Sequence, residues 1–211
     1  MIASGGLSGG ISATIAGGKF IDGFKQGLIT SGLNHVAHMV ADGITRQESL
    51  AAIKKEYPRL FEVLAKLQDF LKANPKVLSN IAEDTGLTKV QVLEFLDVKS
   101  PKGPVYMLKK MDDFGEVGHL SVTYLKYDLI KTFETLQTQA FIQGTSFLLA
   151  ITTLHEFVHW GRSFSGLSYR APSNKWGISD YGSYWEQRTF GMVSTTNDAT
   201  IDLSYKYGWK F

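Results

Sequence analysis

The segment Phe147 to Trp160 constrains this chain most. It reads Phe-Leu-Leu-Ala-Ile-Thr-Thr-Leu-His-Glu-Phe-Val-His-Trp. A helix with apolar residues nearly all round has to be covered on most sides by the rest of the protein. Yet His155, Glu156 and His159 ride on it. Burying ionisable groups of this kind is costly unless they are paired, hydrogen-bonded or metallated. The expectation is a core helix from Phe147 to Trp160, capped by Thr145 or Ser146 and stopped by Gly161.

The three polar residues stand in an H-E-x-x-H spacing. Residues four apart share one face of a helix, so both imidazoles can approach one zinc ion at about 2.0–2.1 Å. Glu156, beside the first ligand, is placed to act as general base on a water whose pKa zinc lowers towards about 7. A further ligand is required. The chain has no cysteine, which removes thiolate ligands, thiol nucleophiles and disulfides together. No histidine follows His159, and the longer metzincin pattern fails because Arg162 and Ser165 stand where its glycine and last histidine belong. The downstream oxygen donors are Asp180, Glu186, Asp198 and Asp202. Glu186 is the choice: it lies in Tyr184-Trp185-Glu186-Gln187, which reads as helix and can pack its aromatics against the core helix. A His, His, Glu set leaves a fourth position for water, with the carboxylate at about 2.0–2.2 Å from the metal. Asp180 is the runner-up, with His119 on a predicted strand as a more distant candidate. Tyr169, Tyr181 and Tyr184 are candidate oxyanion donors, although packing is the commoner role of such residues. His35 and His38 form an H-x-x-H pair without a nearby carboxylate and read as packing residues.

Composition divides the chain into three zones. Residues 1–43 hold about half of the 21 glycines, interleaved with apolar residues such as Ile11, Ile15, Phe20 and Ile21. That is too apolar for a free linker and too glycine-rich for an independent domain, although Phe24 to Val40 suits a docked helix. Residues 44–100 read as a helical spacer. Leu60, Leu64, Leu67, Phe70 and Leu71 make a helical stripe, Asn74-Pro75 ends one helix and starts the next, and Gly86 and Thr88 supply a C-cap and an N-cap. Residues 101–211 carry the candidate site. Gly118 to Tyr127 alternates and reads as strand, and Thr200 to Phe211, alternating around Ile201, Leu203 and Tyr205, is expected to return as strand. The predicted class is therefore α+β. A small sheet, with its edge strand near Gly118 to Tyr127, lies against the core helix and takes substrate backbone as an added strand. A net charge of +2 from 22 basic and 20 acidic residues argues against nucleic acid as the partner. No signal peptide is evident, and no apolar run is long enough to span a bilayer.

Leu154-His155-Glu156-Phe157-Val158-His159-Trp160-Gly161, followed by a glycine-rich turn and Tyr184-Trp185-Glu186, resembles the metallopeptidase toxin domains of bacterial polymorphic toxins. The start, Gly5-Gly6-Leu7-Ser8-Gly9-Gly10 through Leu33-Asn34-His35, is similar to the segment that follows the Rhs/YD-repeat core in such toxins. The resemblance implies a zincin-like peptidase with a zinc cofactor, Glu186 as third ligand and a protein or peptide substrate. It also implies secretion or delivery into competing bacteria as part of a larger polypeptide, and a cognate immunity protein in the producer. A rival reading makes the chain a catalytically inert binding or assembly module of a repeat protein. Metal content separates the two, at about one zinc per chain against none.

Overall fold

A computed structural model describes residues 44–118, 122–193 and 197–211, and of residues 197–199 the backbone alone. The Gly-rich segment, the Phe24 to Val40 helix, His35, His38 and His119, and the Asp198 side chain, lie outside what is described. Among the described residues eight helices and three strands follow one another as α1 (Arg46–Glu56), α2 (Pro58–Ala73), α3 (Pro75–Thr85), α4 (Lys89–Leu96), β1 (Val105–Lys109), β2 (Gly115–Val117), β3 (Val122–Lys126), α5 (Tyr127–Thr135), α6 (Gln139–Phe164), α7 (Tyr181–Phe190) and α8 (Asn197–Lys206). The class is α+β, as expected.

The first four helices form for reasons visible in the chain. Leu60, Leu64, Leu67 and Leu71 of α2 are almost wholly buried. Asn74 closes α2, and Pro75 opens α3, where a missing N–H costs nothing. Gly86 takes the left-handed conformation (φ 70°) that ends α3. Thr88 and Gln91 then cap α4 reciprocally, each side chain bonding the other's backbone N–H.

The core helix α6 runs 26 residues, longer at both ends than expected. Ser146 Oγ donates to Gln143 O within the helix, so the hydroxyl read as a cap is spent inside a turn. Gly161 does not stop the helix. A Cβ there would lie 2.7 Å from Thr85 Cγ2, so its role is to let α3 and α6 approach closely. One apolar cluster draws residues from α1 through α7, with Leu203 of α8 and Trp209 beyond it.

The sheet has the order β1-β3-β2. β1 pairs with β3 in parallel and β2 pairs with it antiparallel. The strand in the Gly118 to Tyr127 region is thus the central one, paired on both sides, which corrects its expected place at the edge. Four consecutive residues of β3, Val122 to Leu125, are buried, as a covered central strand requires. The edge beside α6 is β2, whose Gly-Glu-Val is too short and polar to read as strand. A second correction concerns the C-terminal part. Asn197–Lys206 is a helix, not a strand. The residues it buries, Thr200, Leu203 and Ser204, follow helical spacing, while the alternating Tyr205 is exposed. Small hydroxyl residues carry the buried face, so an apolar alternation misled.

Candidate metal centre

His155 and His159 stand one turn apart near the C-terminal end of α6, their rings 5.1 Å apart. The helix places both on the side facing β2 and α7. α7 crosses here because its first turn contains Gly182, read in the sequence as loop. A Cβ on Gly182 would come within 2.3 Å of His155 Nε2, so only glycine lets the helix lie against that ring. Asp180 is the N-cap of α7, its Oδ1 accepting from Ser183 N–H at 2.7 Å. The same carboxylate reaches both imidazoles, with Oδ1 3.3 Å from His155 Nε2 and Oδ2 2.9 Å from His159 Nε2. Farther along α7, Glu186 is buried, and its Oε1 sits 2.6 Å from the opposite nitrogen of His155, Nδ1. Glu156 points its carboxylate to the same space, 3.8 Å from His155 Nε2. The backbone of β2 closes over it at Gly115, where a Cβ would lie 2.7 Å from Glu156 Oε1.

Burial and charge act in opposition on these groups. Burial disfavours the His155 imidazolium, but the Glu186 hydrogen bond and the charges of Glu156, Glu186 and Asp180 outweigh it and push the ring up to about 9. Burial pushes Glu156 up to about 7, against the pull of the two imidazoles. Burial also acts to raise Asp180, but its bonds to His159 and Ser183 N–H hold it well below the usual carboxylate range.

The site opens into a cleft of about 1010 Å³, walled by Asp112 to Val117 on one side and by Tyr169, Arg170, Asp180 and Ser183 on the other. Of the tyrosines singled out, Tyr169 lines this cleft, its ring 6.2 Å from that of His159. Tyr181 lies beneath the Arg162 guanidinium at 3.4 Å, and Tyr184 packs on Tyr181 and Trp176. Asp202 is exposed on α8 and outside the cleft lining.

A family model described as metallopeptidase toxin 3 matches residues 53–191. The chain belongs to the metallopeptidase toxin 3 family. Comparison with curated proteins and with solved structures gave no match. The matched stretch runs from α1 to the residue after α7, so it takes in the helical zone and the cleft alike. As a metallopeptidase toxin domain, the chain is a peptidase that uses a metal and acts on protein.

The residues present fit a metal. His155, His159 and Asp180 each offer a ligand atom, all within 4.8 Å of one another. Neighbouring donors of a tetrahedral site with bonds of about 2.0–2.2 Å stand roughly 3.3–3.6 Å apart; the 3.3 Å from Asp180 Oδ1 to His155 Nε2 matches this, while the 2.9 Å from Oδ2 to His159 Nε2 is a hydrogen-bond distance. The set is nitrogen and oxygen without sulfur, and the surrounding carboxylates supply negative charge that a divalent cation would offset. The structure thus brings together four of the residues singled out in the sequence, His155, Glu156, His159 and Asp180, and puts Glu186 directly behind His155. Gly115 escaped the sequence reading, and Gly182 falls in the stretch expected there as a glycine-rich turn. A glycine does not report what its missing side chain would strike, although glycine in a helical turn is unusual enough to be a signal.

Proposed function

We propose that this metallopeptidase toxin is a zinc-dependent peptidase of the H-E-x-x-H type, in which His155, His159 and Asp180 hold the ion and Glu156 is the general base. The observation that carries this reading is the convergence of both Nε2 atoms on the Asp180 carboxylate, with the Glu156 carboxylate alongside. Zinc bound there supplies Lewis-acid chemistry, polarising a peptide carbonyl and acidifying water.

The chain's own residues do the rest. Glu186, on Nδ1, fixes the tautomer and orientation of His155 and leaves Nε2 free for the metal, as a carboxylate behind a ligating histidine does. Glu156 takes a proton from the attacking water at its carboxylate and delivers it to the leaving amine. The edge of β2 that pairs with no described strand, along the cleft wall, takes the substrate backbone as an added strand. Gly115 within that strand leaves Glu156 room beneath the substrate. The alternative, Glu186 as third ligand, rests on its 2.6 Å approach to His155, but that approach is to the nitrogen facing away from Asp180.

Competitive chelation of the purified protein decides between the two carboxylates. Asp180→Asn is expected to lose zinc, and Glu186→Gln to keep it with affinity weakened by about 10- to 100-fold. The opposite ranking transfers the ligand role to Glu186. Delivery into competing bacteria as the payload of a larger Rhs/YD-repeat polypeptide, with an immunity protein in the producer, is the biological setting we assign. Family membership and the glycine-rich stretch before residue 44 support it.

A further inference from the structure

Arg170 is the one lysine or arginine lining the cleft among the described residues. It stands opposite Asp180 in an antiparallel bridge, locked by Ala171 N–H donating to Ser179 O at 2.9 Å. Directly opposed residues send their side chains to one face, so the Arg170 side chain leaves the bridge on the same side as the Asp180 carboxylate. That carboxylate is already engaged by the two imidazoles and Ser183 N–H. The other arginines at this end of the molecule are spent on structure. Arg162 donates to the carbonyls of Ser168 and Asp84, and Arg188 pairs with Asp84 and Glu83. Arg170 is bonded through its backbone N–H to Ser168 Oγ, and its guanidinium makes no ion pair or hydrogen bond to a described residue. Across the cleft the charge reverses. Asp112 and Asp113 are exposed on the wall leading into β2, without a counter-ion among the described residues. Glu116, next on that wall, is paired with Lys109 at 2.6 Å.

We propose that Arg170 is a specificity-determining residue whose guanidinium binds a carboxylate of the peptide substrate on the α7 side of the cleft, while Asp112 and Asp113 keep that carboxylate off the β2 side. This rests on the peptidase reading above and names a substrate class for it, peptides bearing an anionic group near the bond cleaved. A free guanidinium fork matches a carboxylate with two parallel hydrogen bonds. Its exposure at the rim suits a substrate anchor. Stabilising a developing oxyanion instead calls for donors in a water-excluded pocket. Like charge on the opposite wall sets direction, because a misplaced carboxylate is repelled there. The carboxylate has two sources, an Asp or Glu side chain or the peptide's own C-terminus.

The test is fluorescence anisotropy with labelled synthetic decapeptides on the full chain carrying Glu156→Gln, with and without Arg170→Ala or Arg170→Lys. The peptides carry Asp or Asn at each position in turn, each with a free or amidated C-terminus. An anionic peptide is expected to bind about tenfold tighter than its neutral twin, the size of one charge-assisted contact. Arg170→Ala should level the two, and Arg170→Lys should keep part of the preference. A preference following Asp over Asn assigns the side chain, and one following acid over amide assigns the terminus and an exopeptidase geometry. An anionic preference equal in parent and Arg170→Ala, or no binding by any peptide, overturns the assignment. Absence of new termini when the parent chain meets the same peptides, read by mass spectrometry, counts against the peptidase reading alone, since the binding ratio still decides on Arg170. Melting temperature and zinc content should be unchanged in Arg170→Ala, because the side chain is exposed.

Discussion

Glu156 is buried to 4 % exposure between α6 and the backbone of β2, and the amide of Gln fits the same volume. Glu156→Gln is therefore expected to keep the fold and the metal while hydrolysis falls by about 10²-fold or more, as removal of a general base does. Near-normal turnover with matched zinc content would sink the proposed role. Gly182→Ala tests the neighbouring contact from the other side. Its Cβ would overlap the His155 ring at 2.3 Å, so α7 has to move away and carry Asp180 with it. Zinc affinity, read by chelator competition, should fall in this variant although no donor has been changed. At this scale the sequence was legible where chemistry and spacing coincide. His155, Glu156 and His159 announce themselves by type and period. Which of Asp180 and Glu186 faces both imidazoles did not, because the approach of α7 to α6 is set by Gly182, and spacing alone gives no direction of approach.

Two elements carry the site, and the tie between α7 and α3 decides whether they meet. Arg188 of α7 reaches Asp84 at 2.8 Å and Glu83 at 3.2 Å, and Asn80 donates to Thr189 Oγ1 at 3.0 Å. Burial pushes Asp84 up to about 6, against the pull of Arg188 and Arg162. A group whose folded pKa lies above its unfolded value holds more protons in the folded state between the two. Its contribution is therefore fully present below about pH 4 and is lost as pH rises to about 6. The stability of the parent relative to Asp84→Asn should decline across that window, by at most about 1.4 kcal/mol per pH unit. Urea melts at pH 4, 5 and 6 measure it, and a difference that stays flat or rises would show that the ion pair with Arg188 outweighs burial. Gly161→Ala probes the α3–α6 contact. Forcing a methyl group against Thr85 should cost about 1–3 kcal/mol, seen as a melting point lower by roughly 2–4 °C per kcal/mol. Helices and caps were readable here, since Leu60 to Leu71, Pro75, Gly86 and Thr88 act locally. β2 was not, because three residues become a strand only through β3, and α8 was not, because Thr200 and Ser204 bury hydroxyl residues that look like surface.

At the scale of the molecule, the helices before residue 100 and the cleft-bearing part share one apolar cluster. Arg46 of α1 is buried, with its guanidinium donating to Phe95 O at 3.1 Å and to Pro104 O across the join. Leu60, Leu64 and Leu71 are covered by the same cluster as Phe147 and Phe157 of α6. Residues 44–211 are therefore expected to unfold in one cooperative step. A fragment of residues 101–211 should lack near-ultraviolet circular dichroism and expose apolar surface to a hydrophobic dye. A folded, zinc-binding fragment would show that the earlier helices are a detachable spacer. The far end of the chain is drawn into the same body. Gln143, in the first turns of α6, donates to Ser204 Oγ at 3.1 Å and to Trp209 O at 2.5 Å and accepts from Phe211 N–H at 3.0 Å, while Trp209 packs on Phe70 and Phe147. Synthesis runs from the N-terminus, so His155, Glu156 and His159 leave the ribosome well before the residues that seat the base of their helix. The nascent chain thus carries every candidate catalytic group before the residues that pack the base of α6 have been added.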